Sequence, residues 1–458
     1  MKKLLTLLLF FSIPILLWGQ NSNKLNLLLE ELEIDNEYMG EVLVMKGNEA
    51  LLHKHLGFSN MDKETVLDES STFSIGGITK IFTATLVMMA VEEGKLDLGT
   101  TLDNYFPKLP NSNNITIRHL LQHRSGLHDH SEHLKAYQNP SIGIPLTSLI
   151  NPLENTTAAF APGTRHDYLN TNYIILTHIL EKTYGKDYQT LLEEKITKPN
   201  GLDNTFLIAV SSAKLRSKSQ GHIVNGEQHE ILQSEHPMFT AGAGGINSTA
   251  SDLSRFSRAL LREYLIKGRL YQEMQPTASN NNYGMGITRR SILGKAAVGH
   301  TGKTPGFQAD WLYFPQDDVT MVFLMNRKAD DFGQMVENLV GAYFNLSSSP
   351  VVPEAETFAP AETAAPVPKT SPNAGKSEAK QVSGTYALTP KLKLTIFEQN
   401  GELKAQATNQ VVNTLVKKSP LNYVIKGTEG HITFVMEDDV VTHLIFEQSG
   451  YKQKADKE

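Results

Sequence analysis

Phe73-Ser74-Ile75-Gly76-Gly77-Ile78-Thr79-Lys80 is the stretch on which the reading of this chain turns. From Ile78 to Glu93 the residues have the length and apolar content of a buried helix, and Gly94 stands where a left-handed C-cap would end it. Lys80 therefore falls in the first turn. In an S-x-x-K arrangement a serine opens such a helix and the lysine follows three residues on, so both side chains share one face and the amine can take the hydroxyl proton. Here position 77 is glycine, which offers no atom to attack with. No neighbouring hydroxyl takes its place: on a helix Thr79 points about 100° away, Ser74 precedes the helix, and Thr83 lies one turn further in. Gly77 keeps a backbone N–H at this position, at a cost of roughly 0.5–1 kcal/mol relative to alanine if it lies in helical geometry.

Further segments follow in a fixed order. They are Ile115-Thr116-Ile117-Arg118-His119-Leu120-Leu121-Gln122-His123-Arg124-Ser125-Gly126-Leu127, Tyr168-Leu169-Asn170 and Gly299-His300-Thr301-Gly302. Between them lie Pro199-Asn200-Gly201-Leu202, Gly244-Gly245-Ile246-Asn247-Ser248-Thr249-Ala250-Ser251-Asp252-Leu253 and Tyr283-Gly284-Met285-Gly286. Each is short, and their shared order is the specific signal. Together with the Gly77 stretch they resemble the serine β-lactamase and penicillin-binding-protein family, in its class C-like branch with DD-peptidases, D-aminopeptidases and esterases, over residues 35 to 330.

That resemblance implies roles for individual residues. Lys80 and Tyr168 would pass protons between nucleophile, water and leaving group, as acyl transfer requires. Asn170 would position the lysine and the substrate amide, and His300, Thr301 and Gly302 would form the edge-strand segment beside which substrate lies. Gly77 and Lys303 would supply the two backbone N–H groups of an oxyanion hole. The departure from the family pattern is Gly77 itself, in the place of the acylating serine.

Composition narrows the setting. With 458 residues the chain exceeds an ordinary single domain. Its formal charge of −6 offers no basic surface for nucleic acid. Residues 1–20 have the form of a secretory signal: Lys2 and Lys3 open it, Leu4 to Leu17 form the apolar run, and Gly19 suits cleavage. Removal of the two lysines makes the charge −8. That apolar run is shorter than the ~20 residues of a membrane span, so an exported, periplasmic or secreted protein with no membrane span after signal removal is expected. The absence of cysteine excludes disulfides, thiolate metal sites and a cysteine nucleophile.

Residues 346–380 carry Pro350, Pro353, Pro360, Pro366, Pro368 and Pro372 among alanine, serine and threonine, and read as an extended linker between domains 21–345 and 381–458. Beyond it, Leu392, Leu394 and Ile396 alternate with polar residues up to Asn400-Gly401, a hairpin-turn dipeptide. Strand-like runs at Leu421 to Lys426, His431 to Glu437 and Val440 to Glu447, the last two joined by Asp438-Asp439, predict a small antiparallel sheet or barrel. In the large domain, strand-like segments at Gly40 to Lys46, Ala50 to His55, Asp310 to Phe314 and Thr320 to Met325 flank a helical middle. That places the chain ends in one antiparallel sheet with helices around it, an α+β fold.

The histidines His119, His123, His128, His130 and His133 invite comparison with a metal site. Leu-Leu-Gln between His119 and His123 lacks the glutamate of H-E-x-x-H, so buried or capping histidines are expected, with no metal and no cofactor. The functional expectation is a hydrolase-like pocket that binds a small-molecule, peptide, D-amino-acid or cell-wall-derived ligand without forming an acyl-enzyme. The alternative is an active serine-type hydrolase, one that activates water through Lys80 and Tyr168 or whose natural form carries serine at 77.

Overall fold

The computed structural model describes residues 25, 28–30, 38–129, 146–207, 218–225, 228–232, 241–327, 329, 331–346, 379–387, 393–399, 401–407, 412–419, 421–425, 431–437, 440–448 and 451–457. The leader, residues 347–378 of the expected linker, His130, His133, Asn400 and Asp438-Asp439 lie outside the described residues. The chain divides into two compact units, Met1–Pro353 and Glu354–Glu458.

The larger unit is built on six antiparallel strands: β1 (Gly40–Lys46), β2 (Glu49–Leu56), β3 (Thr288–Ile292), β4 (Lys295–Thr304), β5 (Phe307–Phe314) and β6 (Val319–Met325). Their order is β3-β4-β5-β6-β1-β2, so the first and last strands of the domain meet at the β1–β6 pair. Every residue of β6 is buried, because both faces of the sheet are covered. The period of two sorts them: Trp311, Val322 and Leu324 join the core on one face, and Leu312, Met321 and Phe323 join the core on the other.

Over the first face lie helices α1 (Thr79–Glu92), α2 (Asn170–Tyr184) and α3 (Ala250–Leu261), and over the second lies α4 (Phe332–Phe344). Helix α1 is buried from Thr79 through Met88, the pattern of a central helix packed all round. Phe82 stacks on Phe256 of α3 with ring centroids 3.8 Å apart, and the Trp311 indole N–H donates to Ser257 Oγ at 3.0 Å, tying α3 to the sheet. Gly94, at φ +69°, follows α1 in the left-handed conformation expected of it.

Thr249 caps α3: its Oγ1 accepts the N–H of Asp252 at 3.2 Å. Thr249→Ala is expected to lower the stability of this unit by about 1 kcal/mol, read from the shift of the urea unfolding midpoint.

The smaller unit is a closed eight-stranded antiparallel barrel, β7 (Gly384–Ala387), β8 (Lys393–Gln399), β9 (Glu402–Ala407), β10 (Val412–Ser419), β11 (Asn422–Ile425), β12 (His431–Glu437), β13 (Val440–Gln448) and β14 (Tyr451–Lys457). Of the two outcomes expected from sequence, sheet or barrel, closure decides for the barrel: Tyr386 of β7 pairs with Lys457 of β14. Alternate residues such as Leu394, Ile396, Ile432 and Phe434 fill the interior. Gln399 pairs with Glu402 across a two-residue turn in which Gly401 takes φ +80°. The fold class is thus α+β with an all-β second unit.

Candidate active site

Gly77 lies in a short helical turn, Gly76–Ile78, that leads directly into α1. Gly76 adopts φ +47°, and a Cβ on it would stand 2.6 Å from the backbone nitrogen of Lys303. Only glycine accommodates both the left-handed backbone and this close approach to β4. A Cβ on Gly77 would meet the Thr301 carbonyl oxygen at 2.8 Å, the Tyr168 hydroxyl at 2.9 Å and His300 Cε1 at 3.0 Å. Gly77, Tyr168, His300 and Thr301, expected from sequence to share a site, therefore converge on one point, and Lys303 lies against the neighbouring Gly76.

The placement of β4 bears on the edge-strand expectation for His300, Thr301 and Gly302. Strand β4 is internal to the sheet order, because β3 pairs along its first half as far as Thr288 opposite Gly299. The ladder with β3 ends there, so only from His300 onward is that side of β4 an edge, and it faces the Ile75–Gly77 segment. The segment His300-Thr301-Gly302 thus lies on a local edge made by the shortness of β3.

Lys80 is wholly buried in the first turn of α1. Its Nζ donates to Asn170 Oδ1 at 2.7 Å and to the Ala243 carbonyl at 2.8 Å, and lies 4.5 Å from the centroid of the Tyr168 ring. Burial pulls the ammonium down to about 7, only partly opposed by the charge of Asp129. An amine so placed exchanges a proton near neutral pH. Asn170 reaches it because the residue opens α2, two positions after Tyr168. Tyr168 presents 42% of its surface to solvent. Burial of the rest of the side chain raises its pKa, as it does for the wholly enclosed Tyr283. Both phenols stay protonated at neutral pH.

Beneath these residues lies a polar layer that the sequence reading did not assign. His123 is fully buried with a left-handed backbone, φ +56°, a conformation that a histidine holds only when its surroundings fix it. Its Nδ1 accepts the Leu169 N–H at 3.1 Å and the Asn172 side-chain amide at 3.1 Å. Two donors on Nδ1 leave the ring proton on Nε2, which faces the Tyr283 hydroxyl at 3.2 Å. Tyr283 in turn stands 3.5 Å from His300 Nε2, while His300 Nδ1 donates to the Thr301 carbonyl at 2.6 Å. Burial first, and then the nearby Lys80 charge, drive His300 down to about 3 and His123 well below its ordinary value, so both imidazoles are neutral. The signal in sequence was Tyr283 within Tyr283-Gly284-Met285-Gly286, whose partner emerges only on folding.

His119 has a different role. Its backbone N–H donates to Thr116 Oγ1 at 3.2 Å and its Nδ1 accepts the Thr116 N–H at 3.3 Å, which makes a capping box for the short helix Ile117–Leu121. The neighbouring hydroxyls are also engaged. Thr79 Oγ1 accepts the Ile246 N–H at 3.2 Å, Thr83 Oγ1 donates to the Gly242 carbonyl at 2.6 Å, and Ser125 Oγ donates to Asn172 Oδ1 at 2.7 Å.

A family model described as Beta-lactamase matches residues 37–342. A penicillin-binding protein of Bacillus subtilis (strain 168) is 25% identical over 460 residues, covering 95% of this chain and 99% of its own. A D-aminopeptidase of Gluconobacter oxydans (strain 621H) is 23% identical, over 63% of this chain and 55% of that protein. Among solved structures, that of SurE superposes with a TM-score of 0.65 at 21% identity, covering 96% of this chain and 100% of that one. The D-amino acid amidase of Ochrobactrum anthropi SV3 gives 0.61 at 20% identity, over 70% of this chain and 99% of that one. These two likenesses establish the fold.

Proposed function

The chain belongs to the β-lactamase family, and from that premise we propose that it is an exported member of a hydrolase scaffold that binds its ligand without acylation. The observation that carries this reading is the crowding at Gly77, where the Thr301 carbonyl, the Tyr168 hydroxyl and the His300 ring lie within 3.0 Å of the place a Cβ would occupy. No side-chain oxygen extends from position 77, and the hydroxyls of Thr79 and Thr83 are committed to backbone partners. In a hydrolytic triad, removal of the nucleophile leaves only about a thousandfold rate gain over water, from binding and the oxyanion hole. What is retained for recognition is the local edge of β4 from His300 and the Asn170 amide, with the buried Lys80 amine behind them, an arrangement suited to an extended peptide, a D-amino-acid derivative or a cell-wall fragment. The family scaffold and the leader-like residues 1–20 together support export. No helix among the described residues is long and apolar enough to cross a membrane.

Titration of the full chain with peptides ending in D-alanyl-D-alanine and with muropeptide fragments, followed by calorimetry and intact mass, tests this reading. Saturable binding with unchanged protein mass is the expected result. Absence of binding across both ligand sets, or a mass increase, overturns it. The depressed pKa of Lys80 favours one second reading, slow hydrolysis by a water that the neutral amine deprotonates. That reading predicts linear product release with no burst and loss of turnover in Lys80→Met.

A further inference from the structure

We infer that a divalent metal ion of the zinc type binds at Glu41, His53 and His55, on the β1–β2 hairpin at the margin of the sheet. His53 and His55 are two residues apart on β2 and so point to the same face, and Glu41 of β1 is paired directly opposite His55. Glu41 Oε1 lies 2.7 Å from His53 Nε2 and 3.7 Å from His55 Nε2, and the three candidate ligand atoms all fall within 4.8 Å of one another. Ligands at about 2.0–2.1 Å from a tetrahedral zinc stand about 3.3 Å apart, so only small side-chain rotations separate this arrangement from a coordinating one.

Two observations distinguish the cluster from an ordinary carboxylate–imidazole pair. One is His55 Nε2, which is shielded from solvent without a hydrogen bond, since Glu41 Oε1 at 3.7 Å is beyond reach. That leaves an imidazole nitrogen without a hydrogen-bond partner next to the carboxylate. The other is the carboxylate itself: Glu41 is fully buried, and its Oε2 accepts the N–H of Ala250, the first residue of α3, at 2.8 Å. That bond fixes the group so that Oε1 alone faces the two rings, as metal-binding carboxylates are held by partners behind them. The imidazole side chains remain 22% and 18% exposed, which leaves an entry path and room for a water as fourth ligand. Two imidazoles and a carboxylate suit zinc-type ions better than magnesium or calcium. Bound metal would clamp the sheet-edge hairpin to the start of α3.

The test is equilibrium dialysis of the full chain against zinc with metal analysis, and cobalt(II) as a visible-spectrum probe. About one zinc per chain is expected, with cobalt bands of four-coordinate intensity and a higher melting temperature in the presence of metal. His55→Gln, on an edge strand, is expected to weaken zinc binding by more than about tenfold while circular dichroism stays unchanged, and His53→Gln to do the same. Failure to retain stoichiometric zinc, or equal binding by the parent and a folded His55→Gln chain, overturns the assignment. If either histidine variant fails to fold, the cobalt spectrum of the parent decides: octahedral, weak bands count against the site. The outcome is independent of acylation at Gly77, because none of these residues touches that position.

Discussion

Gly77→Ser is expected to give a chain that benzylpenicillin or a fluorophosphonate labels covalently, visible as a mass increase on the intact protein, where the parent is expected to stay unlabelled. The hydroxyl would arrive three residues before Lys80, whose amine, held at about 7, is substantially neutral at physiological pH and able to take the proton. Its cost is steric. The new Cβ would press on the Tyr168 hydroxyl at 2.9 Å, which can swing outward because that side chain is partly exposed, and on the His300 ring and Thr301 carbonyl, which are anchored to each other. Overpacking of this kind costs about 1–3 kcal/mol, so a lowered melting temperature and slow labelling accompany the gain of chemistry. Gly77→Ala separates the two effects: it carries the same methyl-sized burden and should destabilise equally, yet acquire no adduct. An adduct at this site on the unaltered chain defeats the account. Equal silence from a folded Gly77→Ser chain shows that more than one oxygen is missing.

Stability should rise with pH from about 7 towards 10, through Lys80. The amine sits at about 7 in the folded chain against an ordinary 10.5, so between those values the unfolded chain holds a proton that the folded chain has shed. Stability therefore increases with pH across that window, and below it the full penalty of burying a charged amine applies, on the order of a few kcal/mol. Above about pH 10 the buried phenols act in the opposite sense. Tyr173 and Tyr283 are both raised by burial, so the unfolded chain loses those protons first and stability falls again. Lys80→Met should flatten the climb between about pH 7 and 10 while leaving the alkaline fall. Unpairing Asn170 Oδ1 and the Ala243 carbonyl displaces that variant's curve by about 1–3 kcal/mol per group without restoring its slope. Urea midpoints measured across the range are the readout, and a Lys80→Met profile parallel to the parent's would refute a near-neutral lysine. His300, driven down to about 3, should contribute no histidine titration between about pH 5 and 8.

Much of the fold was written locally. The apolar run from Ile78, the glycine at 94, the alternation in Leu394 and Ile396, and the strand pairs near both ends of the large domain marked helix, cap, barrel strands and sheet, because each reflects local composition, glycine's conformational freedom or a period of two that neighbouring residues dictate. The ordered segments likewise marked Gly77, Lys80, Tyr168, Asn170 and His300 as companions. Sequence could not say that β3 begins only at Thr288 and leaves His300 on a local edge, since strand length there depends on where the chain joins the sheet. Nor could it show how little space surrounds Gly77, which follows from the backbone distance between β4 and the turn before α1. The contacts linking His123, Tyr283 and His300, and the meeting of Glu41 with His53, His55 and the N–H of Ala250, join residues up to 209 positions apart. Local periodicity assigns each of them a face of its own strand or helix. Only the packing of sheet against helices decides which faces meet, because burial drives that packing and polar groups take whatever partners it brings within reach.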